Sequence, residues 1–148
     1  MAVREATEAD LDALAPLLRS YADFYESSPT DEGLEAMARD VVAAPEDQAY
    51  LLVATDDGGA VVGFALNQWK WSSLSGARVV VLDDLFVAES ARGAGHADAL
   101  IEAVAEVARR HGAPILSWFT QPDNKRAHTV YDRVGGTAET LLEYELEL

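Results

Sequence analysis

The chain has 148 residues, 49% of them apolar and none cysteine, so one domain spanning residues 1–148 with an ordinary core is expected, while disulfides, thiolate metal sites and an acyl-cysteine intermediate are excluded. Lysine and arginine number 11 against 26 acidic residues, a formal charge of −15, which excludes nonspecific nucleic-acid binding through phosphate neutralisation. Met1 to Ala6 carries no basic segment followed by an apolar one and no apolar run approaches bilayer length, so no membrane association is expected and the location is expected to be cytoplasmic.

Thr7-Glu8-Ala9-Asp10 has the form of a helix N-cap with an acid three positions on, and Leu11, Leu14, Leu17, Leu18 and Tyr21 follow at helical spacing. Pro16 is expected to kink this first helix. Phe24 to Pro29 reads as a loop, and a second helix is predicted from Asp31 to about Ala43, ahead of Pro45. Ala49–Ala54 and Ala60–Leu66 are apolar runs joined by Thr55-Asp56-Asp57-Gly58-Gly59, turn chemistry for an antiparallel hairpin. After the loop Ser72 to Gly76, the run Val79–Val87 is apolar except for Asp83 and Asp84, a pair costly to bury unpaired. A helix is expected over Ala97–His111, with Leu100, Ile101, Val104, Val107 and Ala108 on one side, Arg109, Arg110 and His111 complementing its dipole, and Gly112 closing it. Pro114–Thr120 reads as a buried strand, Asn124 to about Val134 as a short helix, and Leu142, Tyr144, Leu146 and Leu148 alternate with glutamates in a final strand. The order β-α-α-β-β-β-α-β-α-β implies an α/β domain on a mixed sheet.

The glycine turn between the strand Val79–Val87 and the helix after it is the strongest chemical signal. A turn of this kind aims free N–H groups and the positive end of a helix dipole at one point, a place for an anion. It lacks the Gly-x-Gly-x-x-Gly of a dinucleotide fold and the lysine of a P-loop. The stretch Arg92-Gly93-Ala94-Gly95-His96-Ala97, preceded by Leu82-Asp83-Asp84-Leu85-Phe86-Val87, resembles the pyrophosphate loop of the GCN5-related N-acetyltransferases. Asn124-Lys125-Arg126-Ala127-His128-Thr129-Val130-Tyr131-Asp132-Arg133-Val134-Gly135 resembles the same family's Asn-x-x-Ala-x-x-x-Tyr-x-x-x-Gly segment. The resemblance covers about Leu82 to Gly135 by motif and the earlier elements by order.

What the resemblance implies is specific. It implies a mixed central sheet of about six to seven strands flanked by about four helices, acetyl-CoA as cosubstrate, and a homodimer. Leu85, Phe86, Val87, Arg92, Gly93, Ala94, Gly95, His96, Ala97, Asp98 and Asn124 are the implied cofactor contacts, and Tyr131 faces the thioester sulfur. The acidic pair looks most like the spermidine/spermine branch, in which Tyr25 and Glu26 also fall at substrate-contacting places, so a small cationic amine is the expected acceptor. A protein, an amino acid or an aminoglycoside is the alternative acceptor, and a regulatory protein that binds acyl-CoA without turnover is the alternative class. Asp83 stands where that branch has glutamate, His96 where it has an aliphatic residue, and Gly136 where an aromatic or small residue often follows.

An amine with a pKa of about 10.4 holds its reactive neutral form roughly 4 to 5 kcal/mol above the ammonium at pH 7. Asp83 or Asp84 is the candidate base, directly or through a water; docking of a cationic substrate is the equal alternative for each. Neighbours on a regular strand point to opposite faces, so both reach one site only if a bulge re-aims one of them. A phenol near 10 is a weaker acid than a thiol near 8.5, so Tyr131 is expected to hydrogen-bond the departing sulfur unless its pKa is depressed. Trp69, Trp71 and Trp118 are candidates for an amine pocket or for core packing. His96, His111 and His128 are not spaced as a metal site, and none is expected.

Overall fold

A computed structural model describes residues 1–148. One five-stranded sheet has the order β1-β2-β3-β4-β5: β1 (Ala2–Glu5), β2 (Ala49–Thr55), β3 (Val61–Ser72), β4 (Ala77–Val87) and β5 (Leu116–Trp118). The first four strands pair antiparallel and β5 joins β4 parallel, which makes the sheet mixed. The helices are α1 (Leu11–Phe24), α2 (Asp31–Ala43), α3 (His96–Arg110) and α4 (Lys125–Arg133).

Alternation along the central strands feeds two cores, one on each face of the sheet. Leu51, Val53 and Phe64 turn toward α1 and α2 and pack with Leu14, Leu18 and Ala38. Leu52, Ala54, Ala65, Val80 and Leu82 turn the other way onto Leu100, Ile101, Val104, Val107 and Ala108 of α3. The apolar stripe predicted for α3 is therefore the one buried, and its end follows the expected chemistry, with Gly112 at φ +75°. The α2 bounds match the expectation, with the Thr30 side chain accepting from the Gly33 amide at 3.0 Å. Helix α1 runs through Pro16 to Phe24, one residue into the segment read as a loop.

Its start is built by Asp10, which is buried. The carboxylate accepts from both Arg4 guanidinium nitrogens at 2.7 Å, from the Thr7 amide at 2.8 Å and from the Thr7 hydroxyl at 3.0 Å. These donors, Arg4 foremost, hold the Asp10 pKa far below the usual carboxylate range. A folded-state pKa below the unfolded value means this contribution is present above about pH 4 and is lost as pH falls toward the folded pKa. Asp10→Ala is expected to cost about 1–2 kcal/mol, the half-exposed Arg4 side chain limiting the loss, and urea unfolding at pH 7 and pH 3 should show a difference that shrinks at the lower pH.

Two expectations are corrected. The sheet has five strands rather than six to seven, and the strand expected at Leu142–Leu148 is not formed. Residues 137–148 belong to no helix or strand, and Leu142, Tyr144, Leu146 and Leu148 are each more than 80% exposed. Alternation sets the period of a strand but supplies no partner for it. The strand read over Pro114–Thr120 also shrinks to three residues, because its pairing to β4 is confined to Val80–Leu82.

Candidate active site

The short β5 creates the site. β4 stays paired to β3 as far as Val87, whereas its ladder to β5 ends where Leu82 meets Trp118. From Asp83 onward the β5-facing edge of β4 has no strand against it, which leaves main-chain groups of Leu85 to Val87 available on that side.

Beyond Val87, a 3-10 turn (Glu89–Ala91) leads into the glycine turn and α3. Gly93 and Gly95 have φ of +83° and +85°, a region that costs an L-residue about 1–2 kcal/mol. Nothing lies within 4 Å of a Cβ built at either glycine, so backbone conformation rather than space calls for glycine. The amides of Gly93, Ala94, Gly95, His96 and Ala97 donate to no main-chain carbonyl, and the first return bond is Ala99 N–H to Gly95 O at 3.0 Å. Gly93 to Gly95 are exposed. Free amides at the mouth of a 15-residue helix make an anion site and fit a diphosphate.

The side chains of this segment serve the turn more than the anion. Arg92 folds back: its Nε donates to the Val87 carbonyl at 2.9 Å and its guanidinium stacks 5.7 Å from the Phe86 ring centre. Through Nε the Arg92 side chain braces the turn against the Val87 carbonyl, one of the main-chain groups assigned to the cofactor. His96 opens α3 with its side chain buried. Asp98 is engaged by Arg133 through two bonds of 2.6 and 2.7 Å, which ties the first turn of α3 to the end of α4.

The second signature sits on α4. Asn124 is its N-cap, accepting from the Ala127 amide at 3.3 Å, and its side chain lies near enough to the Tyr25 phenol to oppose the rise that burial gives that group's pKa. Tyr131, seven residues on, packs edge-on against Trp118 at 5.4 Å. Burial, reinforced by Tyr25, pushes the Tyr131 pKa up to about 12. The depressed phenol that full proton transfer would need is therefore absent, and Tyr131 is a neutral hydrogen-bond donor.

Between these ends lies the acidic pair. Leu66 opposes Asp84 and Asn67 opposes Leu82, so Asp83 is an extra residue in β4, a bulge. The bulge brings both carboxylates to the α1 face: Asp84 lies across from Leu66, and Asp83 lies near Gln68 and Lys70 of β3. Their surroundings differ. Asp83 is exposed, whereas Asp84 is partly covered near Tyr21 of α1 and Tyr25, the residue that caps that helix. Burial raises both pKa values, that of Asp83 against the opposing effect of Gln68 and with a contribution from Asp84, and that of Asp84 against the opposing effect of the nearby Tyr21 hydroxyl. Tyr25 joins the clusters, since it lies near Asp84 and Asn124 and acts on Tyr131.

Glu26, next to it, is the one non-glycine residue at positive φ (+55°). It occupies the left-handed position that ends α1, with Ser27 N–H returning to Ala22 O at 2.9 Å. The tryptophans other than Trp118 are elsewhere. Trp69 donates to the Glu46 carbonyl and flanks Arg78, and Trp71 is 79% exposed at the far end of β3. Sequence reasoning missed Tyr21 and the Asp98–Arg133 tie. Tyr21 falls in the apolar stripe of α1, and nothing in periodicity distinguishes a core tyrosine from one whose hydroxyl meets a carboxylate.

The model of the acetyltransferase (GNAT) family matches residues 14–136. The chain is 31% identical over 140 residues to the uncharacterized N-acetyltransferase YhfO of Bacillus subtilis strain 168, covering 95% of this chain and 92% of that protein. It is 29% identical over 158 residues to bovine thialysine N-epsilon-acetyltransferase, covering 97% and 86%. The crystal structure of a probable acetyltransferase superposes with a TM-score of 0.87 at 30% identity, covering 100% of this chain and 98% of that one. The chain belongs to the GNAT acetyltransferase family, and it is an acetyl-CoA-dependent N-acetyltransferase.

Proposed function

We propose that the chain acetylates a primary amine of a small cationic acceptor, polyamine-like in charge, by direct attack in a ternary complex. The observation that carries this reading is the bulge at Asp83, which puts two carboxylates on one face of β4 beside the opening that Tyr131 lines. The cosubstrate supplies an acetyl group activated as a thioester. Amides from Gly93 to Ala97 hold its diphosphate, and the open edge of β4 from Leu85 to Val87 pairs its amide-bearing arm.

Asp84 acts as the base. Its raised pKa narrows the gap to the ammonium it must deprotonate, and it is the carboxylate grouped with Tyr25, through which Tyr131 is reached. Asp83, more exposed and near Gln68, docks the distal charge of the acceptor together with Glu26. The charge of −15 that repels an anionic cofactor at long range draws a cation in. Bovine thialysine N-epsilon-acetyltransferase is named for a side-chain amine, which agrees with an amine-bearing small molecule as acceptor. The homodimer that the resemblance implies and a cytoplasmic location belong to the same proposal; no helix of the chain is long and apolar enough to cross a membrane.

Isothermal titration with acetyl-CoA followed by thiol release on an amine panel tests the reading. Binding at micromolar to low-millimolar concentration, and turnover fastest with polyamines, is expected. Turnover that ignores acceptor charge, or that favours anionic acceptors, contradicts the proposed pocket.

A further inference from the structure

Tyr21 belongs to the apolar stripe of α1, yet its surroundings are those of a group held in place. Its ring lies edge-on to Phe64 at 5.9 Å and to Phe86 at 6.2 Å, with the Tyr25 ring 5.0 Å away. Phe64 and Phe86 are register partners across β3 and β4. Asp84 precedes Phe86 by two residues on the same strand face, one register step from the wall against which Tyr21 is clamped. Three rings fix a side chain with only two side-chain torsions, so the position of its hydroxyl follows from packing.

We propose that Tyr21 is a positioning residue: its hydroxyl, clamped by Phe64, Phe86 and Tyr25, holds one oxygen of the Asp84 carboxylate and leaves the other to receive the acceptor's proton. The inference rests on Asp84 being the base. A partly covered carboxylate with no donor rotates freely about its last torsion, and a single donor on one oxygen removes that freedom. The groups facing Asp84 are few. From α1 and its C-cap they are Tyr21 and Tyr25, from its own strand Asp83; Lys70 and Gln68 of β3 act on Asp83, Tyr131 of α4 acts on Tyr21, and Tyr25 acts on Tyr131. No cation competes for Asp84. The Tyr21 hydroxyl is the group that favours its ionised form against burial.

Tyr21→Phe keeps the three ring contacts and removes only the donor, so the fold should persist with an unchanged melting temperature. The direct readout is the Asp84 carboxyl carbon, followed by NMR titration of ¹³C-labelled protein. Its midpoint should move to higher pH in Tyr21→Phe, because a donor to the charged form has been lost. In turnover, kcat/KM for the amine should fall about 10-fold, the acidic limb of its pH profile should move upward in step, and KM for acetyl-CoA should hold. Combining Tyr21→Phe with Asp84→Asn should add no further loss to Asp84→Asn alone. An unmoved Asp84 midpoint overturns the assignment, whether or not the chain turns over, as does a fall in melting temperature with an unshifted pH limb. A wild-type chain that acetylates no amine while the midpoint still moves overturns the reaction reading instead.

Discussion

Tyr131→Phe should lower kcat by about 10²-fold while changing the Kd for acetyl-CoA by no more than about two-fold. Loss of one preorganised donor aimed at developing charge is worth that much in a water-poor site. The phenol, at about 12, lies about 3.5 units above an ordinary thiol near 8.5, so handing its proton over completely is uphill by roughly 5 kcal/mol. A hydrogen bond to the departing sulfur incurs none of this. The variant keeps the ring that packs on Trp118 at 5.4 Å, so the α4 contact to β5 survives. Steady-state kinetics on a thiol-release assay, beside calorimetry, separates the two effects: a loss confined to KM would place Tyr131 in binding rather than chemistry.

Asp84→Asn should be the more damaging change, lowering kcat/KM for the amine by about 10² to 10⁴-fold. Wild-type activity is expected to fall as pH drops through the Asp84 pKa, which burial holds above the normal carboxylate value, and that limb should vanish in the variant. Stability should respond with the opposite sign. A carboxyl whose folded-state pKa is raised favours the folded state below its unfolded pKa, and that contribution is lost as pH rises through the folded one. At pH 7 the wild type therefore carries a buried charge that the asparagine removes, so Asp84→Asn should melt no lower than wild type at pH 7, and any gain should disappear below about pH 4. Asp83→Asn, at an exposed position near Gln68, should raise KM for a polyamine several-fold with little change in kcat.

The glycine turn was legible because its demand is on the backbone: two positive-φ residues before a helix leave a mark in composition that no packing can hide. The apolar faces of α3 and the hairpin of β2 and β3 were legible for the same kind of reason, since a 3.6 or 2 residue period is set by the element itself. The bulge was legible only as a condition, that two adjacent acids share a site if one is re-aimed, and the register between Leu66 and Asn67 meets it. The bond from Arg92 Nε to the Val87 carbonyl at 2.9 Å was not legible, because a cation beside an anion-binding turn has two uses and the sequence names neither. The last strand failed for want of a partner. Leu142 to Leu148 has the right alternation, but pairing is a property of two segments and periodicity speaks for one. Tyr21 was hidden by its own amphipathic character, a ring that satisfies the helix stripe and a hydroxyl that answers to Asp84.

The measurement that bears most directly on the account is a ¹H–¹⁵N spectrum of the assigned chain titrated with coenzyme A. Five amides, those of Gly93, Ala94, Gly95, His96 and Ala97, donate to no main-chain carbonyl, and a diphosphate accepting from them should shift their protons downfield together, at one saturation point, while the amides of β1 and α2 stay still. Saturable binding that leaves these five resonances unmoved would contradict the claim that the turn before α3 holds the acetyl donor.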